Sequence, residues 1–370
     1  MLRKLQPYIT QIRGVSYKPS DIKEPNEGVI ILRANNIRDD QINFDELVYV
    51  SGKKVSDLQY LRNGDVLICT SSGSGNLVGK AAVYSDNNED VSFGAFCKVI
   101  RIEETEEILP EYIRMFFLSK NYREQIMAYG IGANIKNIKA EHFDALKIGI
   151  PSKQKQIVAV SEIRTLLYAL NNKKNQLQLL DDLVKSRFIE MFGDPMENSN
   201  GYKLQKYGDV FELNAGGTPS KSKKEYWENG TISWIGSNLC QNVVLYENDG
   251  QYITNEGLNH SSARLFPVDT VLIALVGASI GKSALLKFET TTNQNVLGVR
   301  GIKENGYNPY FVYYYTQGLY PKFLSIGDGG FAMASKGFIS ALPIPVVDIK
   351  LQNDFEIFAQ QVDKSKFRTI

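Results

Sequence analysis

The strongest constraint on this fold is that the sequence contains the same pattern twice. The segment Gly28–Ile37 (GVIILRANNI) has the same layout as Gly230–Leu239 (GTISWIGSNL), 202 residues later. A strand-like run at 64–69 leads into a Gly/Ser loop that ends in Gly79-Lys80. A second run, at 270–275, leads into a loop that ends in Gly281-Lys282, again 202 residues later.

Further landmarks follow in the same order at offsets of 196 to 199 residues. Pro110 with EYIRMFFLS matches Pro309 with YFVYYYTQG, and ALKIGIP at 145–151 matches ALPIP at 341–345. After each Ile-Pro, we pair residues at an offset of 198: Gln154 with Gln352, Ile157 with Phe355 and Val160 with Phe358. Landmarks in one order predict a duplicated unit of about 150 residues plus a following helix, and the long period excludes a solenoid.

Each unit is expected to be mixed α/β (α+β), with a mostly antiparallel sheet. Its apolar runs are short and β-branched, and clusters such as YSDNNED and TTTNQN separate them, which is typical of strands joined by loops. We predict one helix per unit, at Pro110–Tyr129 and Pro309–Leu324, because proline is well suited to a first helical turn.

A long helix is predicted between the units, from Ser152 to Phe192, because this stretch contains no Gly or Pro. Its apolar residues alternate at spacings of four and three, with Lys174 and Asp181 as polar interruptions, which indicates a coiled-coil seam. At about 1.5 Å per residue the helix would be roughly 60 Å long. The predicted helix-packing and docking residues are Ile163, Leu167, Leu170, Leu177, Val184, Phe188 and Met191.

These patterns predict four segments. The first α/β domain comprises residues 1–151, the spacer helix 152–195, the second α/β domain 196–345, and a shortened C-terminal helix 346–370. GDPMENSNG at 193–201 ends the spacer with Gly and Pro and forms the linker.

Composition and motifs favour a binding protein over an enzyme. Lys plus Arg number 42 and Asp plus Glu 41, so the net charge of +1 provides no overall field to attract a polyanion. The sequence has two histidines and three widely separated cysteines, which argues against a zinc site and against a nucleophilic triad. The start lacks the apolar region of a signal peptide, and no apolar run is long enough to span a bilayer, so we expect a soluble, cytoplasmic protein.

Three short motifs resemble catalytic or cofactor signatures without matching them. The loop 276–283 ends in Gly-Lys-Ser but has Val276 where a phosphate-binding loop has its first glycine. In GSGNLVG, at 73–79, the last glycine is one place late for a dinucleotide fingerprint. Asn308-Pro309-Tyr310 lacks the second proline of the motif by which amino-methyltransferases hold adenine. We therefore predict no catalytic residues and no metal.

The duplicated layout resembles the specificity subunit of a type I restriction-modification enzyme, over essentially the whole chain. The resemblance rests on ALKIGIP with Gln154 and the helix to 192–195, and on ALPIP with Gln352. It also rests on GGTPS at 216–220, on Trp234-Ile235 and on the loop 277–282. In this family a second long helix normally packs on the first. Here only 25 residues follow the second Ile-Pro, of which about twenty, Lys350 to Ile370, would form the helix.

The resemblance implies a non-catalytic, DNA-binding subunit of a DNA methylation and restriction system. Each target-recognition domain would read one half of a bipartite, asymmetric site in double-stranded DNA. The helices would set the gap and dock two methyltransferase subunits. Those partners would bind S-adenosylmethionine and flip the adenine that they methylate, and motor-nuclease subunits would complete the complex. This chain itself would bind no cofactor, and no membrane contact is implied.

Candidate DNA-binding residues are the polar and basic side chains of the matched loops, because Arg and Asn read base edges whereas Lys and Ser more often hold phosphates. Glycines in these loops would let the backbone approach DNA. The first-unit candidates are Arg33, Asn35, Asn36, Arg38, Ser72, Ser74, Asn76 and Lys80. The second-unit candidates are Ser220, Lys221, Lys223, Lys224, Ser237, Asn238, Ser279 and Lys282.

Two other functions remain compatible with the sequence. A self-sufficient adenine methyltransferase would need a cryptic cofactor site, and binding of S-adenosylmethionine to the isolated chain would reveal it. A coiled-coil scaffold with two protein-binding modules would not bind an asymmetric split DNA site.

Overall fold

The computed structural model describes residues 2–73, 77–86, 90–129, 137–326 and 333–369. The chain divides into two compact units, Met1–Leu170 and Asn171–Ile370. Among the helices described, none combines the length and the apolar character that crossing a membrane requires.

The first unit consists of short strands with helices at its C-terminal end. Its elements, in chain order, are β1 (Leu2–Lys4), β2 (Ile9–Arg13), β3 (Ile22–Lys23), β4 (Val29–Leu32), β5 (Ile37–Arg38), β6 (Gln41–Ile42), β7 (Val48–Val50), β8 (Val66–Cys69), β9 (Ala81–Val83), β10 (Val91–Phe93), β11 (Cys97–Ile102), α1 (Pro110–Phe117), α2 (Lys120–Ala128), α3 (Ala140–Asp144), β12 (Lys147–Gly149) and α4 (Lys153–Phe192). Helix α4 continues into the second unit.

The second unit repeats this order. After α4 its elements are β13 (Leu204–Lys206), α5 (Tyr207–Val210), β14 (Glu212–Ala215), β15 (Ile232–Ile235), β16 (Val243–Leu245), β17 (Tyr252–Ile253), α6 (Asn255–Asn259), β18 (Leu265–Phe266), β19 (Val271–Ala274), β20 (Ser283–Leu286), β21 (Thr290–Thr292), β22 (Val296–Arg300), α7 (Pro309–Gly318), α8 (Tyr320–Leu324), α9 (Lys336–Ser340), β23 (Pro343–Pro345) and α10 (Ile349–Thr369).

Strand order shows that the units are structural duplicates. One sheet has the order β2-β11-β8-β9 in the first unit and β14-β22-β19-β20-β16 in the second. A second sheet contains a parallel pair, β4 with β10 in the first unit and β15 with β21 in the second. Most other pairs are antiparallel, including β1 with β12 and β13 with β23, which bring the two ends of each unit together. The predicted mixed α/β fold with a mostly antiparallel arrangement is confirmed.

Each unit buries its aliphatic and aromatic residues on both sides of the first sheet. In the first unit, Ile68 and Ile100 pack with Phe117 and Tyr122 of the helices, whereas Leu67 and Val99 face the second sheet. In the second unit a buried hydrogen bond of 2.8 Å joins the hydroxyls of Tyr207 and Thr316 across the helical side. Residues that alternate along one strand therefore supply two separate cores.

The single helix predicted for each unit is two short helices instead. In the first unit the Ser119 hydroxyl accepts a hydrogen bond from the Tyr122 amide at 3.2 Å, which caps α2 and starts a new helix. In the second unit Pro321 lies in the first turn of α8, and its missing N–H prevents α7 from continuing. These local signals lie inside the apolar pattern that predicted one helix.

The long helix α4 is confirmed, and it ends at Gly193, which has a φ of 81°. Its seam residues have different surroundings along its length. Val184 and Phe188 are buried, and Phe355 of α10 packs edge-to-face on Phe188 with 5.2 Å between ring centroids. Lys366 of α10 forms a 2.7 Å ion pair with Asp181, so that the predicted polar interruption has a partner. Met191 and Leu177 are half-buried, whereas Ile163, Leu167 and Leu170 are exposed.

A fully buried glutamine fastens the start of each long helix to its own unit. The Gln156 Oε1 accepts a hydrogen bond from the Leu109 amide at 2.8 Å, and its Nε2 donates to the carbonyls of Glu107 and Pro151, both at 2.9 Å. In the second unit the Gln352 Oε1 accepts from the Asn308 amide at 2.9 Å, and its Nε2 donates to the Val347 carbonyl at 2.9 Å.

The predicted pairing of Gln154 with Gln352 is therefore wrong. Gln154 is exposed, and Gln156 is the residue that has the contacts of Gln352. The pairing of Ile157 with Phe355 fails for the same reason, since Ile157 is exposed and Phe355 is buried. The pairing of Val160 with Phe358 shifts with them. The correct offset is 196, which is also the offset of the two Ala-Leu pairs. The strands β12 and β23 and the starts of α4 and α10 share this offset, so the connection from strand to helix has the same length in both units.

We predict that Gln156→Leu lowers the free energy of unfolding of the first unit by about 2–4 kcal/mol, because it removes three hydrogen bonds of a fully buried side chain to the Leu109 amide and to the carbonyls of Glu107 and Pro151. Gln154→Leu, two residues away and exposed, should change it by less than about 0.5 kcal/mol. Urea denaturation checks this, with hydrogen exchange in β11 and α1 identifying the unit that unfolds. Equal effects of the two substitutions would contradict the assignment.

Candidate nucleic-acid interface

Four loops of the first unit converge at one end of its sheets, and main-chain hydrogen bonds hold them together. The Val15 amide donates to the Phe93 carbonyl at 2.8 Å, and the Gly94 amide donates to the Leu32 carbonyl at 2.9 Å. The Thr70 amide donates to the Phe96 carbonyl, also at 2.9 Å. Main-chain hydrogen bonds thus join the loops after β2, β4, β8 and β10 into one surface.

These loops surround an open cleft of about 690 Å³. Three candidates from the sequence, Arg33, Asn35 and Ser72, line the cleft together. Tyr17 and Phe96 also line it, and sequence reasoning missed both, because polar and basic residues alone were considered there. The cleft therefore combines hydrogen-bonding groups with two aromatic rings, a combination suited to base edges and thymine methyl groups.

Loop contacts set the positions of the first-unit candidates. An Arg33 Nη2 donates to the Glu46 carbonyl at 2.8 Å, and the Asn35 Nδ2 donates to the Glu46 carboxylate at 3.2 Å. Asn36 is fully buried, and its side chain bonds the backbone of Arg33, Asn43 and Asp45. In this structure Asn36 holds the loop, and Arg33 and Asn35 are the residues presented to the cleft.

The remaining first-unit candidates lie at other places. Arg38 is exposed and its guanidinium lies 3.6 Å from the Asp45 carboxylate. Lys80 is half-buried, and its carbonyl accepts a hydrogen bond from the Cys69 amide at 2.9 Å. Ser74 and Asn76 lie outside the described residues.

The second unit brings the corresponding four loops together through equivalent main-chain bonds. The Gly217 amide donates to the Thr292 carbonyl at 2.8 Å, and the Asn293 amide donates to the Ile235 carbonyl at 3.1 Å. The Leu275 amide donates to the Asn295 carbonyl at 2.8 Å, as Thr70 does to Phe96. The framework is repeated while most of the loop residues differ.

A glutamine that sequence reasoning missed links three second-unit candidates. The Gln241 Nε2 donates to the Ser279 hydroxyl at 3.0 Å and to the Asn238 carbonyl at 3.1 Å, and its Oε1 accepts from Lys282 Nζ at 2.8 Å. Asn238 is exposed, and the neighbouring Ser237 is half-buried. No local motif marks Gln241, because its role depends on two loops that meet only in the folded unit.

The other second-unit candidates form a separate basic loop. The Ser220 hydroxyl is 2.8 Å from the Ser222 hydroxyl, and Lys223 Nζ donates to the Tyr226 hydroxyl at 2.9 Å. That hydrogen bond raises the pKa of Lys223. Lys221 and Lys224 line a shallow groove of about 340 Å³ with Trp227. Lys221, Lys223 and Lys224 are all exposed.

Glycines before the two matched lysines serve packing in the protein. Gly79 and Gly281 have φ values of 79° and 76°. A Cβ at Gly281 would lie 2.5 Å from the Phe323 ring of α8, and one at Gly79 would lie 3.0 Å from Ile126 of α2. Each of these two glycines faces a helix of its own unit, whereas the expectation that the Gly-rich loops let the backbone approach DNA stays a prediction. Gly277 has open space around its Cβ position.

The cysteines and His142 have structural surroundings. Cys69, Cys97 and Cys240 are free and buried, and burial raises the pKa of Cys240 to about 12. His142 accepts a hydrogen bond from the Lys139 amide at 3.3 Å at the start of α3 and stacks on Tyr129. Within the described ranges, no three His, Cys, Asp or Glu side chains are grouped to hold a metal ion.

Comparison with known proteins identifies the class to which these paired loop clusters belong. The family model described as "Type I restriction modification DNA specificity domain" matches the chain twice, at residues 9–179 and 200–368. Together the matches cover most of the sequence. The chain belongs to the family of type I restriction-modification DNA specificity proteins.

Individual relatives agree with this family. The type I restriction enzyme StySPI specificity subunit of Salmonella potsdam is 36% identical over 178 residues, which are 48% of this chain and 38% of that protein. The type I restriction enzyme EcoKI specificity subunit of Escherichia coli (strain K12) is 34% identical over 178 residues, which are again 48% of this chain and 38% of that protein. The matched part is thus well under two thirds of these relatives. The S subunit from M. genitalium shares the fold, with a TM-score of 0.54, 14% identity and coverage of 100% of this chain and 90% of that one.

We predict that Gly281→Ala destabilises the second unit by about 2–4 kcal/mol, because the added methyl both strains a left-handed backbone and clashes with Phe323. Gly277→Ala is the matched control: it has a φ of 69° but no neighbour, so only the backbone strain of about 1 kcal/mol applies. Thermal unfolding of both variants measures the difference. Equal losses would show that the contact with Phe323 carries no weight.

Proposed function

We propose that this chain is the DNA-binding specificity subunit of a type I restriction-modification complex. Each unit reads one half of a bipartite, asymmetric target in double-stranded DNA. The observation that carries this proposal is the repeated main-chain framework of four loops, which presents different side chains in the two units. One framework with two sets of side chains reads two different short sequences.

The difference between the units supports an asymmetric target. After β4 the first unit has Arg33-Ala34-Asn35-Asn36, whereas after β15 the second has Gly236-Ser237-Asn238. Arg33 offers a bidentate contact to guanine, which Gly236 at the equivalent position does not, whereas an asparagine follows two residues later in both loops. The second unit instead places the network of Gln241, Ser279 and Lys282 at its loops. The two half-sites are therefore expected to differ in sequence.

Helix α4 is proposed to set the gap between the half-sites. It is continuous over 40 residues, so its length is roughly 60 Å. The helices also provide the docking surface for two methyltransferase subunits. Ile163, Leu167 and Leu170 leave an apolar stripe exposed on α4, which is the kind of surface that protein partners cover.

Chemistry is proposed to reside in the partners. The methyltransferase subunits bind S-adenosylmethionine and methylate an adenine, and motor-nuclease subunits complete restriction, while this chain binds no cofactor. The near-neutral charge of +1 is consistent with a reader that shares its phosphate contacts with those partners.

The test is to purify the chain with the methyltransferase encoded beside its gene and to map the methylated adenines in DNA. The proposal expects one split site with two different halves and a fixed gap. A single uninterrupted site would contradict it, as would methylation by the isolated chain with S-adenosylmethionine.

Substitutions in one unit should relax one half-site alone. Arg33→Ala is expected to cost about 1–3 kcal/mol at one base position of the first half and to leave the second half unchanged. Lys282→Ala, in the other unit, is the reciprocal control and should leave the first half unchanged. Methylation of a library with randomised half-sites reads both effects. If either substitution relaxed both halves, separate reading by the two units would be refuted.

Lengthening α4 should lengthen the gap without changing either half-site. Residues 171–176 are exposed, so four inserted residues there disturb no core contact. They add about 6 Å of helix, which corresponds to one or two base pairs. Mapping of methylated sites measures the gap, and four substitutions to alanine at 171–174 provide the control of unchanged length. An unchanged gap in the insertion variant would rule out a spacer role.

A further inference from the structure

An exposed phenylalanine lies at the rim of the first-unit cleft. Phe96 lines the cleft beside Arg33, Asn35 and Ser72, and 69% of its surface is accessible. A large apolar side chain gains nothing from this position in the free protein, since burial of such a ring contributes about 1.5–3 kcal/mol. Its polar neighbours on the cleft wall are the first unit's base-reading candidates.

The backbone of Phe96 is firmly held although its ring is not buried. The Phe96 carbonyl accepts three hydrogen bonds: from the Thr70 amide at 2.9 Å, from the Ser71 amide at 3.1 Å and from the Thr70 hydroxyl at 3.0 Å. The ring is therefore presented by a fixed turn rather than by a loose loop. A loop backbone that is already fixed loses little conformational entropy when it meets a partner.

The second unit has a polar residue at the same place. Asn295 is equivalent to Phe96 because its carbonyl accepts the corresponding hydrogen bond, from the Leu275 amide at 2.8 Å. The Asn295 amide in turn donates to the Asn293 side chain at 3.0 Å. The shared framework thus tolerates either an apolar or a polar side chain here. The aromatic ring of the first unit is not a requirement of the fold.

We infer that Phe96 reads a thymine in the first half-site by packing on its C5-methyl group in the major groove. This inference rests on the proposed function and names a specificity residue within it. The thymine methyl is the one apolar feature among the base edges of that groove, and a phenylalanine ring is a suitable contact for it. Arg33 and Asn35, on the same cleft wall, read the neighbouring base edges by hydrogen bonds.

The experiment compares thymine with deoxyuridine, which lacks only the methyl group. The complex of this chain with its methyltransferase is titrated with a fluorescent duplex that carries the mapped target. Each thymine of the first half-site is replaced in turn by deoxyuridine, and the Kd is measured by anisotropy. One replacement should weaken binding of the unsubstituted complex about fourfold, the effect of one buried methyl.

Phe96→Ala should abolish that difference, so that thymine and deoxyuridine targets bind alike. Asn295→Ala, the matched change in the second unit, should keep the full fourfold difference. The inference is overturned if the first half-site contains no thymine, if deoxyuridine binds as well as thymine to the unsubstituted complex, or if Phe96→Ala keeps the difference. If the ring is instead inserted between base pairs, Phe96→Ala should weaken binding to the thymine and deoxyuridine targets equally. That result would also overturn the inference.

Failure of the proposed function gives a different result. In that case the unsubstituted complex shows no preference for a split target over a scrambled duplex of the same length. A split preference without a thymine effect removes only the role of Phe96.

Discussion

The buried glutamine at the start of each long helix is the contact on which the arrangement of each unit depends. Gln156 and Gln352 are fully buried. The side-chain oxygen of each accepts a hydrogen bond from the residue before α1 or α7, and the side-chain nitrogen donates to a carbonyl just before α4 or α10. A buried amide is stable only when its donors and its acceptor are all satisfied, so the helix can leave the unit in a single register. The fixed start of the helix determines the direction in which its apolar face points.

Main-chain hydrogen bonds connect the loops of each unit, so most of the loop framework is distinct from the side chains proposed to read DNA. Main-chain hydrogen bonds join the loops, from Val15 to Phe93 and from Thr70 to Phe96 in the first unit, and from Gly217 to Thr292 in the second. Side chains on those loops are then free to differ without loss of the framework. This explains how two units of one fold come to present an arginine and a phenylalanine in one case and a glutamine-lysine pair in the other.

The seam of α4 illustrates the limits of a sequence pattern. Its alternating apolar residues form one uninterrupted stripe in the sequence, yet α10 covers Phe188 and pairs with Asp181 while Leu167 and Leu170 are exposed. A heptad pattern specifies a face that favours burial but not which partner buries it. Gly79 and Gly281 show the same limit, because the sequence places each glycine before a loop lysine but does not show the helix against which it packs.

The sequence by itself determined the duplication, the mixed α/β class, the long helix and the loops that carry polar side chains, because periodicity, turn residues and repeated landmarks are local or additive signals. Only the tertiary structure decided that Gln156 rather than Gln154 fastens the helix, that Asn36 is buried while Arg33 and Asn35 face the cleft, and that Gln241 joins Ser279 to Lys282. The tertiary structure also placed Phe96 and Tyr17 in the first-unit cleft, beside Arg33 and Asn35. Each of these depends on contacts between residues far apart in the chain, and a linear pattern contains no distance between such residues.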